Sequence, residues 1–93
     1  MNDNDPPTVK IITGRVFRDK GGEPEGVHVM LVAPDDDTAV RRALEALAGQ
    51  GFAEAEFDQI GDMEGMPDEE PHASAYQGAV EGEVSVVTFD EKD

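Results

Sequence analysis

The chain of 93 residues is short enough to form one domain, and with 38% hydrophobic and 5% aromatic residues it can bury only a modest core. It has no cysteine, which excludes disulfide frameworks, thiol nucleophiles and cysteine-based metal sites. Its 22 acidic and seven basic residues give a formal net charge of −15, which disfavours nucleic acid and anionic membranes as partners because both are bound through Lys and Arg.

The acidic residues are concentrated in the second half of the chain. Residues 1–42 hold six basic and eight acidic residues, whereas residues 43–93 hold one basic residue, Lys92, and 14 acidic residues. A basic protein is therefore the kind of partner that the charge distribution favours. No cofactor is predicted, since so small a domain has little room for a deep enclosed pocket.

The chain begins with a polar, proline-containing segment, MNDNDPP, at residues 1–7. This composition predicts a disordered leader, and a disordered tail is predicted at residues 90–93, which leaves residues 8–89 as a single domain. The leader has neither the basic nor the apolar region of a signal peptide. No apolar run approaches the roughly 20 residues of a membrane span, so a cytoplasmic protein is expected.

The first folded segment is predicted to be a hairpin of two antiparallel strands. The β-branched stretch at residues 8–18 predicts a strand with a bulge at Gly14, and the glycine-rich residues 19–26 predict the turn. In the second strand, VHVMLVA at residues 27–33, both the odd-numbered and the even-numbered residues are apolar apart from His28. That pattern predicts a central strand covered on at least one face.

A helix is predicted after this strand. Four apolar residues at helical spacing form its stripe: Val40, Ala43, Leu44 and Leu47. The glycines at residues 49 and 51 predict its end.

Three adjacent aspartates, Asp35, Asp36 and Asp37, lie between the second strand and this helix. An aspartyl phosphotransfer site would need Thr or Val where Ala39 stands, and a calcium loop would need Gly where Val40 stands, so neither metal motif fits. The position instead favours capping of the helix by Asp36 or Asp37, while the neighbouring carboxylates stabilise the positive end of the helix dipole.

The second half of the chain predicts two strands separated by a weaker helix. FAEAEFDQI at residues 52–60 alternates apolar and acidic residues, which predicts a strand with one solvated face near a sheet edge. An acidic loop follows, and a helix is predicted over residues 68–82 with the apolar stripe Ala75, Tyr76, Ala79 and Val80. VSVVTF at residues 84–89 predicts the last strand.

These elements follow one another in the order β-β-α-β-α-β, which predicts an α+β fold. The simplest arrangement is a two-layer sandwich, in which a four-stranded mixed sheet carries both helices on one face.

The residues that could support catalysis do not form a recognisable motif. Nothing in the spacing of His28 and His72 pairs them, and neither Ser74 nor Ser85 has the glycine pattern of a nucleophile elbow. A metal site needs three or four converging ligands, which the spacing does not indicate. The sequence therefore predicts neither a catalytic residue nor a metal site, and the protein is expected not to be an enzyme.

The composition favours a non-catalytic protein-binding or regulatory module that docks a basic protein partner. The predicted contact residues combine carboxylates with flexible or aromatic apolar groups: Glu54, Glu56, Asp58, Asp62, Met63, Glu64, Met66 and Tyr76. The alternative is a small-ligand or divalent-metal-binding domain, or a small enzyme, that uses Asp35 and Asp37 with His28 or the acidic loop at residues 58–70. A homodimer that pairs exposed edge strands is a further possibility.

Overall fold

The structure of the protein is a computed structural model that describes residues 8–90. These residues form an α+β fold whose elements follow the predicted order: β1 (Val9–Phe17), β2 (Pro24–Val32), α1 (Asp36–Gly49), β3 (Glu54–Asp62), α2 (His72–Val80) and β4 (Ser85–Asp90). The predicted leader and residues 91–93 of the predicted tail lie outside the described residues. Asp90, predicted as part of that tail, is the last residue of β4.

The four strands form one sheet in the order β3-β1-β2-β4. The hairpin between β1 and β2 and the edge position of β3 are both confirmed. The prediction of a mixed sheet is wrong, because every neighbouring pair of strands is antiparallel. The strand that follows α1 pairs with β1, on the side opposite β2, so β2 and β3 run in the same direction without being neighbours.

The helices cover opposite faces of the sheet, so the prediction that both lie on one face is also wrong. Val29 and Leu31 of β2 pack in a cluster with α1, whereas Met30 between them packs in a cluster with α2. Neighbouring strand residues point to opposite faces, so the molecule has three layers with the sheet in the middle. The physical reason is that β2 is apolar on both faces, and each face is buried by its own helix.

Gly14 lies at the predicted bulge, and its position shows why this strand needs a glycine there. The pairing between β1 and β3 shifts between Thr13 and Gly14, which leaves Asp58 of β3 as the extra residue. A Cβ on Gly14 would overlap the carbonyl oxygen of Glu56 and lie 2.8 Å from the Cα of Phe57. The bare backbone of Gly14 therefore allows the two strands to approach.

The first helix is capped by Asp35, not by Asp36 or Asp37 as predicted. The Oδ1 atom of Asp35 accepts a hydrogen bond of 2.7 Å from the backbone N–H of Thr38, and α1 begins at the next residue, Asp36. The buried face of α1 is also rotated relative to the predicted stripe. Its buried residues are Ala39, Ala43 and Leu47, while Leu44 is 43% exposed.

The second helix begins at His72, four residues later than predicted, and ends at Val80. Ala75 and Ala79 are buried against the sheet, as their spacing predicts, whereas Val80 is exposed. A Cβ on Gly78 would lie 2.8 Å from the Oγ atom of Ser85, so this glycine allows α2 to approach β4 closely. Within residues 8–90, neither helix has the length and apolar composition to cross a membrane.

Candidate functional site

Three of the predicted contact residues lie along the β3 edge of the sheet: Glu54, Glu56 and Asp58. All three are exposed. Glu56 forms an ion pair of 3.3 Å with Arg15 of the neighbouring strand, and Asp58 occupies the bulge. We call these three residues the acidic edge. Charged side chains and a bulge both deter another strand from pairing with an edge, so a partner would meet this edge through side chains.

Asp62 at the end of β3 is occupied by an internal contact. The Nζ atom of Lys10 lies 2.9 Å from Asp62 and 3.2 Å from Asp36, and only 12% of the lysine side chain is exposed. The two hydrogen bonds raise the pKa of Lys10 above its ordinary value of 10.5. Through Lys10, these ion pairs connect the start of α1 to the end of β3. A role in the fold therefore accounts for the carboxylate of Asp62 without a partner.

The predicted apolar anchors differ in how accessible they are. Met63 and Tyr76 are half-buried, and both pack against the cluster beneath α2. Met66 is 50% exposed in the acidic loop, beside the exposed Glu64. Of the three, Met66 has the most surface available to a partner.

An apolar groove next to the acidic edge was not predicted from the sequence. It has a volume of about 190 Å³ and lies between the end of α1 and the start of β3, lined by Leu44, Leu47, Ala48, Phe52, Ala53, Glu54 and Ala55. Leu44 leaves 43% of its surface exposed there, whereas the sequence pattern assigned it to the core. Glu54 belongs both to this groove and to the acidic edge, which makes apolar and anionic surface continuous.

A second, more open pocket of about 340 Å³ is lined by Pro67, Asp68, Glu69, Glu70 and His72. One of its carboxylates also has a structural role, because the Oε1 atom of Glu70 accepts a hydrogen bond of 3.1 Å from the backbone N–H of Ser74. Such a carboxylate at the start of a helix satisfies an otherwise unpaired donor. Three carboxylates, those of Asp68, Glu69 and Glu70, make this pocket more anionic than the groove beside α1.

His72 also contacts His28, although nothing in their spacing along the sequence pairs them. His28 Nδ1 and His72 Nε2 are 2.8 Å apart, which requires one ring nitrogen to donate a hydrogen bond and the other to accept it. The His28 ring also makes an edge contact with Phe89 of β4, at 4.9 Å between centroids. Burial, together with the neighbouring His72, lowers the pKa of His28 below its ordinary value of 6.5.

The residues suggested for a divalent-metal site do not converge. The contacts of His28 are with α2 and β4, whereas Asp35 and Asp37 belong to the start of α1, which covers the other face of the sheet. Asp35 is already engaged as the helix cap, and its hydrogen bonds with Thr38 lower the pKa of the carboxyl group. Within residues 8–90, no group of three or more His, Asp or Glu side chains has a metal-binding arrangement.

No protein-family model, no curated protein and no solved structure matches this chain. Its functional interpretation therefore rests on its own residues and their geometry.

Proposed function

We propose that this protein is a non-catalytic binding module that docks a basic protein partner on the acidic edge and the adjoining groove. The observation that carries the proposal is the position of Glu54, which lies on the acidic edge and also lines the groove that holds the exposed Leu44. A surface that joins carboxylates to an apolar depression suits a partner with Lys or Arg side chains around an apolar anchor.

The two parts of this surface would contribute in different ways. Exposed carboxylates attract a basic partner over a distance, which raises the association rate and selects against acidic proteins, but each exposed ion pair adds little affinity. Burial of an exposed leucine removes apolar area from water, which slows dissociation. Leu44 therefore replaces Met63 and Tyr76 as the proposed central anchor. Met66, in the loop after the far end of β3, is not assigned to this surface.

The experiment that tests this proposal compares two variants with the same change in charge. The edge variant carries Glu54→Gln, Glu56→Gln and Asp58→Asn. The control variant removes three exposed carboxylates away from this surface, by Asp19→Asn, Glu23→Gln and Glu81→Gln. Both are used as bait in a lysate of the source cell beside the original protein, and the affinity of each is then measured with the purified basic protein that is recovered.

The edge variant should lose at least about tenfold in affinity, whereas the control should lose much less, because only the former alters the contact. Affinity should also fall as salt rises. Leu44→Gln should weaken binding by increasing the dissociation rate. Val80→Gln is the matched control, because Val80 is an exposed apolar residue on the other helix, α2, and its replacement should leave the dissociation rate unchanged. Equal losses in the edge and control variants would show that net charge, not this surface, determines binding.

A second candidate function is the binding of a small cationic ligand or a divalent ion in the pocket beside His72. The observation that favours it is that Asp68, Glu69 and Glu70 line the same concave surface. A ligand that binds only the folded state must raise the melting temperature. Titration with millimolar calcium, magnesium or spermidine therefore tests it, and a constant melting temperature with unchanged amide chemical shifts would remove this candidate.

A further inference from the structure

The two edges of the sheet have opposite chemical character. At one edge, β3 carries Glu54, Glu56 and the bulged Asp58, which are features that prevent strand pairing. At the other edge, β4 has the sequence SVVTFD, in which the last residue, Asp90, is the one charged residue and no proline occurs. The strand β4 pairs with β2 in continuous antiparallel register. Of the two edge strands, β4 is therefore the one whose central residues lack protection against pairing.

The side chains along β4 are incompletely covered. Val84, Val86 and Val87 are half-buried, and Phe89 is 41% exposed although its ring lies over the bare backbone of Gly26. In an antiparallel ladder, alternate residues direct their N–H and C=O groups away from the existing neighbour. Within residues 8–90, the outer side of β4 thus has no neighbouring strand, and its outward backbone groups are flanked by apolar side chains on both faces of the sheet.

We propose that β4 pairs with β4 of a second copy of this chain, antiparallel and about a twofold axis, to form a continuous eight-stranded sheet. Antiparallel self-pairing satisfies the outward backbone groups of both strands with the same surface, as a twofold interface requires. The neighbouring valines and phenylalanines of the two copies then cover each other across the new strand pair.

Charge favours this edge over any other part of the sheet for self-association. The two acidic edges would lie seven strand spacings apart, which is about 34 Å and several times the screening length of about 8 Å at physiological ionic strength. At the other edge, the carboxylates are those of Glu83, just before β4, and Asp90, its last residue, so residues 84–89 between them place no like charges opposite each other. In an antiparallel pair, the end of one β4, at Asp90, lies near the exposed Glu83 of the other copy, so repulsion at the two ends of the interface should weaken the dimer at low salt.

This inference does not depend on the proposed binding of a basic protein, because it uses the opposite edge of the sheet. The two interactions should also respond to salt in opposite directions. Screening weakens the attraction between an acidic and a basic protein, whereas it reduces the repulsion between two copies of an acidic one. Failure of one interaction can therefore be distinguished from failure of the other.

The test is sedimentation of the purified full chain from about 10 to about 500 µM, at low and high NaCl. The protein should be dimeric at the upper concentrations, with a smaller dissociation constant at high salt. Thr88→Glu places a carboxylate on the outer strand and should raise that constant at least about tenfold. Gln59→Glu adds the same charge on β3, where the side chain is exposed, and should change it by less than about threefold.

Amide hydrogen exchange of the unaltered protein provides a measurement that does not depend on a variant folding. Alternate amides of β4 should become more protected as protein concentration rises, while those on the outer side of β3 should not. A monomer at every concentration in high salt would overturn the proposal. A dimer that Gln59→Glu weakens as much as Thr88→Glu would overturn it as well, because the interface would not be β4.

Discussion

The contact between His28 and His72 predicts that the stability of the fold decreases when the pH is lowered below neutrality. At 2.8 Å, the two nitrogens can share one hydrogen, but two protonated rings both act as donors and repel each other. Around His28, the contacting groups are His72 from α2 and Phe89 from β4, with Thr13 as its partner on β1. None of these contacts supplies a carboxylate that would stabilise the charged form of His28.

The direction of the effect follows from the lowered pKa of His28. In the unfolded chain this group protonates near its ordinary value of 6.5, so below that pH the unfolded state binds more protons than the folded state. The contribution of His28 to the free energy of unfolding should therefore be constant above about pH 7.5 and fall as the pH drops from about 6.5 toward the lower folded value. Below the folded pKa the decrease attributable to this group should stop.

The magnitude follows from the separation of the rings. Two unit charges at the 5.0 Å between the ring centroids repel by about 1 kcal/mol in water-like surroundings and about 3 kcal/mol at the effective dielectric of a protein surface. Loss of the hydrogen bond adds about 1 kcal/mol. Because the site is only partly buried, we expect a loss near the lower end of this range when both rings are charged.

The assay is urea denaturation at about pH 7.5, 6.5 and 5.5, on the original protein and on His28→Gln, His72→Gln and the double variant. His28→Gln should remove most of the pH dependence in this interval, and the double-variant cycle should give a coupling energy that changes with pH. The helix cap Asp35 does not contribute to the pH dependence in this interval. Its pKa is lowered from 3.8, so its contribution to the free energy of unfolding is lost only at more acidic pH. A free energy of unfolding that is constant over the interval, or equally pH-dependent in His28→Gln, would refute the reasoning.

Four further predictions concern the fold. Leu31→Ala, at a position with 1% exposure, should lower the free energy of unfolding by about 2–5 kcal/mol in urea denaturation, because the surrounding core cannot fill the cavity. Gly14→Ala should destabilise by about 1–3 kcal/mol because its Cβ overlaps the β3 backbone, whereas Gly61→Ala, whose Cβ meets open space, should change stability by less than about 0.5 kcal/mol. Asp35→Ala should lower the melting temperature more than Asp37→Ala, because Asp35 accepts a backbone N–H of the first turn, and equal shifts would argue against the cap. Raising the NaCl concentration should raise the melting temperature by screening repulsion within a chain of net charge −15, and an unchanged melting temperature would mean that the acidic residues are locally compensated.

Local sequence patterns were sufficient to predict the elements and their order. The hairpin, the bulge at Gly14 and the edge position of β3 each follow from a short-range signal, namely turn residues, an interrupted strand and alternating carboxylates. The helix over Asp36–Gly49 follows from apolar spacing. These signals are reliable because strand and helix periods depend on only a few neighbouring residues.

The arrangement of the layers was not predicted, because it depends on which surface each helix covers. The strand β2 contained the signal, since Val29 and Leu31 alternate with the equally buried Met30. A strand whose odd and even residues are both apolar is typical of a sheet that is covered on both faces. The same pattern also occurs where one face is fully buried and the other is covered only in part by a helix. Only the positions of α1 and α2 in space distinguish the two.

The candidate site was predicted only in part for a similar reason. The carboxylates of the acidic edge are exposed as predicted, because an alternating strand determines which side chains face solvent. The contact between His28 and His72 joins residues 44 positions apart, and no short-range pattern reports such a distance. Leu44 was assigned to the core because apolar spacing shows which side of a helix is apolar. The spacing does not show how far the sheet extends beneath that side, and Leu44 is left 43% exposed.

The chain order explains why the two edges of the sheet could acquire different roles. Because β1 and β2 form a hairpin in the centre, the strands after each helix can add only at the two free edges. The acidic strand β3 occupies the first of these edges, and β4, whose one charged residue is the terminal Asp90, occupies the second. A basic partner on β3 and a second copy on β4 would therefore not compete, and a dimer would present two acidic edges to partners. For a partner with two basic sites, this arrangement would increase the apparent affinity without any new contact on β3, provided that the spacing of its sites matches that of the two edges.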